Sequence, residues 1–230
     1  MNCAMNKVAY VDQTFDTPNP IARYAHRSRL RRSLIYAAEF LEKNASLIDF
    51  GCGTGDFLNA MKRVRPDASL TGVDPYQSGA EESFKRVTEL KEIGSATIDV
   101  LCCFEVLEHL SDLDLAIFLV EGKRILKPSG HLLISVPIMG GLTLLLKECN
   151  RSLLFRRKSD YSPMELLRAT FGGTVERTTN RSGSHKGFSF RAMRHILLNE
   201  RFSIVREAMC PFTALPWYLN SQCFLVLRPA

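Results

Sequence analysis

This 230-residue sequence predicts an α/β fold, a largely parallel sheet with helices on both faces, and three observations carry that expectation. Strand-like and helix-like segments alternate from residue 45 to residue 136. The first strand runs into a turn with glycine at alternate positions. The composition, 46% hydrophobic and 23% charged, suits one large domain with a real core and argues against disorder, collagen-like repeats or coiled coil.

Residues 1–20 read as an arm ending in Thr17, Pro18, Asn19 and Pro20, a turn-rich stretch that can start a helix but not continue one. From residue 21 to 43, Ile21, Tyr24, Leu30, Leu34, Ala37, Ala38 and Leu41 recur near helical spacing with arginines between them, which predicts a basic amphipathic helix. Arm and helix together form an expected N-terminal unit, 1–44, ahead of a main domain, 45–230. Within that domain the pattern gives a strand at 45–50, a helix at 55–64, a strand at 69–73, a largely helical stretch at 81–92 and a buried strand at 98–104. A helix at 112–126 follows, closed by the stop and turn sequence Lys127, Pro128, Ser129, Gly130, and then a strand at 131–136. Residues 137–186 break the alternation and read as an insertion. Regular structure resumes with a helix at 188–199 and strands at 203–209 and 222–227, whose short link suits an antiparallel pair.

The net charge of +6 is unevenly placed. Arg23, Arg27, Arg29, Arg31 and Arg32 form one cluster and Arg151, Arg156, Arg157 and Lys158 a second, so an anionic partner would meet these patches rather than the whole surface. The seven cysteines are odd in number, form no CxxC pair and lie mostly among apolar residues, as reduced cytosolic thiols would; the adjacent Cys102 and Cys103 should face opposite sides of a strand. Met1 to Tyr10 lacks the pattern of a secretory signal, and the apolar stretch at 132–146 is interrupted by Ser135, Pro137, Gly140, Gly141 and Thr143. A cytoplasmic location is expected, with peripheral contact at a membrane's inner face compatible with the basic helix.

The most informative segment is Asp49-Phe50-Gly51-Cys52-Gly53-Thr54-Gly55-Asp56. Glycines let the backbone turn tightly and approach a ligand, while the following helix offers unpaired amide groups. Asp49 ends the strand, where a carboxylate suits a cationic group. The next strand ends at Asp74, followed by Pro75, and an acid there can accept both hydroxyls of a ribose. A dinucleotide fingerprint would want glycine where this chain has Asp56, and that charge disfavours a pyrophosphate.

At these residues the chain resembles the class I S-adenosylmethionine (SAM) dependent methyltransferases, of the type 11, 12 and 23 domain kind. The resemblance covers residues 45 to about 136 well, and the later stretches 98–110 and 122–137 also look like the family's. It implies a Rossmann-like seven-stranded sheet with the final strand pair antiparallel and a substrate lid, 137–186, inserted after the fifth strand. It also implies that Asp49, Gly51, Cys52, Gly53 and Gly55 hold the amino-acid part of SAM and that Asp74 and Pro75 hold its ribose. Glu89 and Leu90 would lie near the adenine, and Cys103 and Phe104 near the sulfur, although buried strand residues are apolar for packing reasons alone. S-adenosylhomocysteine would be the product.

A second constellation is Glu105-Val106-Leu107-Glu108-His109. If it forms a first helical turn, Glu105, Glu108 and His109 fall on one side and can chelate Mg²⁺, Mn²⁺ or Zn²⁺. The acids would equally suit a helix N-terminus through its dipole. The segment is similar to one in small-RNA 3′-terminal 2′-O-methyltransferases and in ubiquinone-pathway O-methyltransferases, where a downstream histidine completes a metal site; here the candidate is His185. His185 and His109 are also candidate general bases, since histidine titrates in the useful range.

Methyl transfer from a sulfonium is an in-line displacement that needs positioning more than a strong nucleophilic side chain. Histidines and acids near the expected site favour a hydroxyl acceptor on a small molecule, a glycan or a lipid-linked molecule. RNA is an alternative that the basic patches would serve through phosphate contacts, although only Tyr24 and Phe155 lie among the arginines as stacking groups. A scaffold protein that binds SAM without turnover is a third reading. The leucines of the insertion, beside its basic cluster, could close over the site or meet a lipid–water interface.

Overall fold

The computed structural model describes residues 20–76, 83–153, 158–177 and 185–230. The expected arm at 1–19, Leu154 to Arg157 and the polar stretch at 178–184 lie outside the described residues. Seven strands form one sheet: β1 (Ser46–Phe50), β2 (Ser69–Val73), β3 (Lys85–Val87), β4 (Ile98–Phe104), β5 (Leu126–Pro137), β6 (Phe202–Cys210) and β7 (Gln222–Pro229). Their order is β3-β2-β1-β4-β5-β7-β6, with β7 antiparallel to both β5 and β6 and the other pairs parallel. This is the Rossmann-like sheet with an antiparallel final pair that the sequence predicts. Six helices are described: α1 (Pro20–Phe40), α2 (Asp56–Val64), α3 (Asp112–Ile125), α4 (Gly141–Leu153), α5 (Pro163–Thr170) and α6 (Phe190–Asn199).

Strand alternation divides the core into two layers. Ile48, Leu101, Cys103, Leu132, Ile134, Leu225 and Leu227 face one side, where Leu115, Phe118 and Leu119 of α3 and Phe190, Met193 and Leu197 of α6 cover them. Leu47, Val100, Cys102, Leu133, Phe224 and Val226 face the other, beneath Tyr36 and Ala37 of α1 and Phe57, Leu58 and Met61 of α2. Cys102 and Cys103 lie in opposite layers, as their adjacency requires. On α1, Ser33, Tyr36 and Ala37 are buried, whereas Tyr24, expected on the apolar stripe, is exposed.

Two local readings are corrected. The stretch at 81–92, expected to be helical, contains the edge strand β3 and a 3-10 turn at Leu90–Glu92. Phe84 and Val87 are both buried, and their spacing of three imitates a helix, while the charged Lys85 and Arg86 between them are what a short sheet edge tolerates. The sequence Lys127 to Gly130 is not a separate turn: α3 passes directly into β5 at Leu126. Ile98 pairs with Leu126 and Val100 with His131, so the intervening residues form a bulge, pinned where Lys127 Nζ meets Asp99 Oδ1 at 2.7 Å.

The order of the strands reverses between the parallel neighbours β1 and β4, with β2 and β3 added to one side and β5 to the other. Ligands in open α/β sheets bind in the crevice at such a point, beyond the carboxyl ends of the strands. Among the described residues, no helix is long and apolar enough to cross a membrane.

Leu101 lies at the middle of β4 with no exposed surface. Leu101→Ala should lower the unfolding free energy in a denaturant titration by about 2–5 kcal/mol. Val120→Ala on the outer face of α3, where the side chain is exposed, should change it by about 0.5 kcal/mol or less.

Candidate active site

The crevice between β1 and β4 is bordered by a glycine turn held in one shape. Gly51, Gly53 and Gly55 have φ of 77°, 50° and 87°, the left-handed region that disfavours side chains. Their surroundings differ. A Cβ on Gly51 would come within 2.4 Å of Val106 Cγ2 and one on Gly55 within 2.4 Å of Phe84, so these two glycines permit close packing inside the protein. A Cβ on Gly53 would meet nothing within 4 Å, so only this position opens onto free space. The turn is braced by groups that bind its backbone. Asp74 Oδ2 accepts from Gly53 N at 2.9 Å and Oδ1 from Tyr76 N at 2.9 Å, and Arg86 Nη1 donates to Gly53 O at 2.9 Å. Asp74 therefore shapes the turn as well as standing at the end of β2. Arg86, within the stretch read as helical, escaped the sequence reading; its signal was its place beside the sheet edge, two residues after Phe84.

Asp49, at the floor of this crevice, is only 5% exposed. Burial, with a further contribution from the charge of Asp74, pushes its carboxyl up to about 8. Such a group gains from a cation placed against it. Cys52, next along the turn, is buried, and its thiol is pushed up to about 12 by burial and by Asp49. Pro75 is exposed, and so is Glu89, which pairs with Lys91. Leu90 is buried in the core beneath α3, with its carbonyl accepting from Arg124. Cys103 has no exposed surface and belongs to the core layer under α3, whereas Phe104 is partly exposed and meets Phe57 and Phe224.

The second constellation lies just past β4. The expected helical turn from Glu105 to His109 is corrected: Glu105 has φ 57°, and only Leu107–His109 coil, as a 3-10 turn. Glu105 is not one of the converging ligand groups and has partners of its own. Its carboxylate pairs with Arg29 Nη1 of α1 at 3.3 Å and accepts from Ser135 Oγ of β5 at 3.1 Å. Glu108, His109 and His185 do converge, with one ligand atom from each lying within 4.8 Å of the others. The imidazole rings of His109 and His185 stand 4.8 Å apart, edge to face, and His109 Nε2 is 3.9 Å from Glu108 Oε1.

Glu108 is the group that needs explaining. It is 5% exposed, and among the described residues both carboxylate oxygens lack a hydrogen-bond partner. Burial, followed by the charge of Glu105, raises its carboxyl to about 9. Buried polar atoms are nearly always satisfied, so two orphaned oxygens on one side chain mark a place shaped for something else. Burial lowers His109, and burial with the neighbouring His109 lowers His185 to about 4, so both imidazoles are neutral with lone pairs to donate near neutral pH. One carboxylate and two neutral imidazoles suit Zn²⁺ or Mn²⁺ better than Mg²⁺, which prefers oxygen alone. Arg177 Nη2, donating to Glu108 O at 2.8 Å, steadies the turn from the insertion.

Residues 22–169 match the methyltransferase domain family. The ubiquinone biosynthesis O-methyltransferase of Pelagibacter ubique is 28% identical over 130 residues, covering 51% of this chain and 52% of that protein. An uncharacterised 37.1 kDa transposon protein of Streptomyces fradiae is 28% identical over 152 residues, covering 60% of this chain and 41% of that one. The chain thus spans about half the length of the curated relatives it matches. Among solved structures, a SAM-dependent methyltransferase from Aquifex aeolicus superposes with a TM-score of 0.56 at 14% identity, over 95% of this chain and 98% of that one. The Burkholderia thailandensis 1,6-didemethyltoxoflavin-N1-methyltransferase, solved with its acceptor and S-adenosylhomocysteine, gives 0.59 at 16% identity, over 96% and 85%. Fold, glycine turn and family match agree, and the chain belongs to the methyltransferase domain family, with the class I fold of SAM-dependent methyltransferases.

Proposed function

We propose that this protein transfers the methyl group of SAM to a hydroxyl of a small-molecule, glycan or lipid-linked acceptor, assisted by a divalent metal ion held by Glu108, His109 and His185. The observation that carries the reading is the orphaned carboxylate of Glu108 beside two neutral imidazoles, one short turn beyond β4 and across from the glycine turn. The Pelagibacter relative, named as an O-methyltransferase, supports oxygen as the acceptor.

In this reading Asp49 receives the ammonium of SAM, the free space over Gly53 admits the amino-acid part, and Asp74 accepts from the ribose hydroxyls with the lone pairs left by its two backbone bonds. Phe104, partly exposed beyond Asp49, offers an aromatic surface near the methyl group. A divalent ion lowers the pKa of a bound hydroxyl and fixes its direction. The chain's own part is to hold donor and acceptor in line and to exclude water. With no metal bound, His185 or His109, each lowered toward the neutral form, would instead take the proton that leaves the hydroxyl.

The raised pKa of Asp49 gives a signed pH dependence. An ammonium favours the ionised carboxylate, so SAM binding should release a proton and tighten as pH rises from 6 toward about 8, the value at which Asp49 ionises unaided. Without ligand the sign is opposite: the folded state holds the proton more tightly than the unfolded chain, so the Asp49 contribution to stability falls across the same window. Calorimetric titration with SAM should show both the proton release and the trend. Asp49→Asn should weaken binding by about 30-fold or more, abolish the trend and leave the fold intact at pH 8.

Chelation with EDTA should suppress methyl transfer and added Zn²⁺ or Mn²⁺ should restore it, with SAM affinity unchanged. Glu108→Gln and His185→Ala should each weaken metal binding by about 10- to 100-fold, measured by metal titration. Full activity after chelation, with no metal detected by elemental analysis, would defeat the metal assignment while leaving SAM binding in place.

A further inference from the structure

The insertion after β5 contains a pair of helices whose outward faces are apolar. Inward, Leu144 of α4 and Ala169 of α5 pack around Tyr161, with Leu166 and Met139 against them. Outward, α4 presents Leu142, Leu146 and Leu153, spaced four and seven apart, and α5 with its next residue presents Met164, Leu167 and Phe171, spaced three and four apart. These are helical stripes pointing at solvent, and Leu153 and Phe171 are 79% and 82% exposed. Single exposed leucines are ordinary; two periodic stripes on adjacent helices are a face.

The charge of the stretch that carries these helices is predominantly positive. Residues 137–186 carry nine Lys and Arg against four Asp and Glu, nearly the whole net charge of +6. Three of the acids are already engaged: Glu148 is buried against Ser159 Oγ and Arg151, Asp160 pairs with Arg151, and Glu165 pairs with Lys186. Lys147, Lys158 and Arg168 are exposed and in no ion pair among the described residues.

We propose that α4 and α5 dock this protein onto an anionic lipid surface, the leucines, Met164 and Phe171 entering the headgroup–acyl boundary and the lysines and arginine meeting anionic headgroups. Apolar faces flanked by basic side chains lie in the membrane interface for these two reasons together. A second copy of the chain is a poorer occupant, because facing copies would oppose positive charge to positive charge. A nucleic acid would use the cations and leave six large apolar side chains in water. The inference does not depend on the acceptor or on the metal.

Vesicle flotation tests it. The protein should float with vesicles of mixed phosphatidylglycerol and phosphatidylcholine, should bind phosphatidylcholine alone at least ~10-fold more weakly, and should be released by high salt. Leu146→Glu/Phe171→Glu should reduce binding to the mixed vesicles at least ~10-fold, with the circular dichroism spectrum and SAM affinity unchanged. Lys158→Glu/Arg168→Glu should abolish the preference for anionic lipid. If the glutamate pair fails to fold, Leu153→Ser/Met164→Ser on the same stripes serves in its place. No flotation, flotation indifferent to lipid charge, or flotation that survives the apolar substitutions would overturn the proposal. So would light scattering showing a dimer that Phe171→Glu dissociates, or RNA binding in place of vesicle binding. None of these results would alter the SAM or metal measurements.

Discussion

Two buried carboxylates, Asp49 at the end of β1 and Glu108 just beyond β4, are the constraint around which the rest of the molecule is arranged. A charged carboxylate in such surroundings is expensive, and each is driven toward its protonated form. The cost is met where the parallel strands part company, the one place in such a sheet that has room for a ligand. In the proposed function Asp49 is left to a cation carried by a nucleoside and Glu108 to a metal ion. Their environments separate the two roles: Asp49 stands near another acid and the open turn, Glu108 near two imidazoles.

Precision around these groups comes from elements far apart in sequence. The glycine turn is fixed by Asp74 after β2 and Arg86 in β3, and Phe84 fills the space that side chains at Gly55 and Gly72 would occupy. On the other side, Ser135 of β5 and Arg29 of α1 hold the carboxylate of Glu105. The insertion reaches back through Arg177 to the carbonyl of Glu108, and His185 returns from its far end. Holding groups of this kind decide whether a reactive constellation keeps its geometry.

Where burial follows period, the sequence was easy to read. β1, β2, β4, α2 and α3 announced themselves by apolar periodicity, and the glycine turn with Asp49 and Asp74 needed only local spacing. β3 did not, because three residues contain too little pattern and Phe84 and Val87 mimic a helix. The bulge at Lys127–Gly130 depends on a register with β4 that no local signal encodes. The role of Glu105 was missed for the same reason: its left-handed backbone and its partners Arg29 and Ser135 are tertiary facts, while the convergence of Glu108, His109 and His185 followed from residue type and a resemblance.

The bond between Arg29 and Glu105 joins the first described helix to the heart of the molecule. Residues 1–44 read in sequence as an arm and a basic helix ahead of the main domain, and α1 roofs one layer of the sheet and supplies the cation that keeps a third acid quiet beside Glu108. A shortened protein beginning at β1 would strip that roof and remove the cation that offsets the repulsion between Glu105 and Glu108. The structural unit therefore includes Arg29, well upstream of the glycine turn.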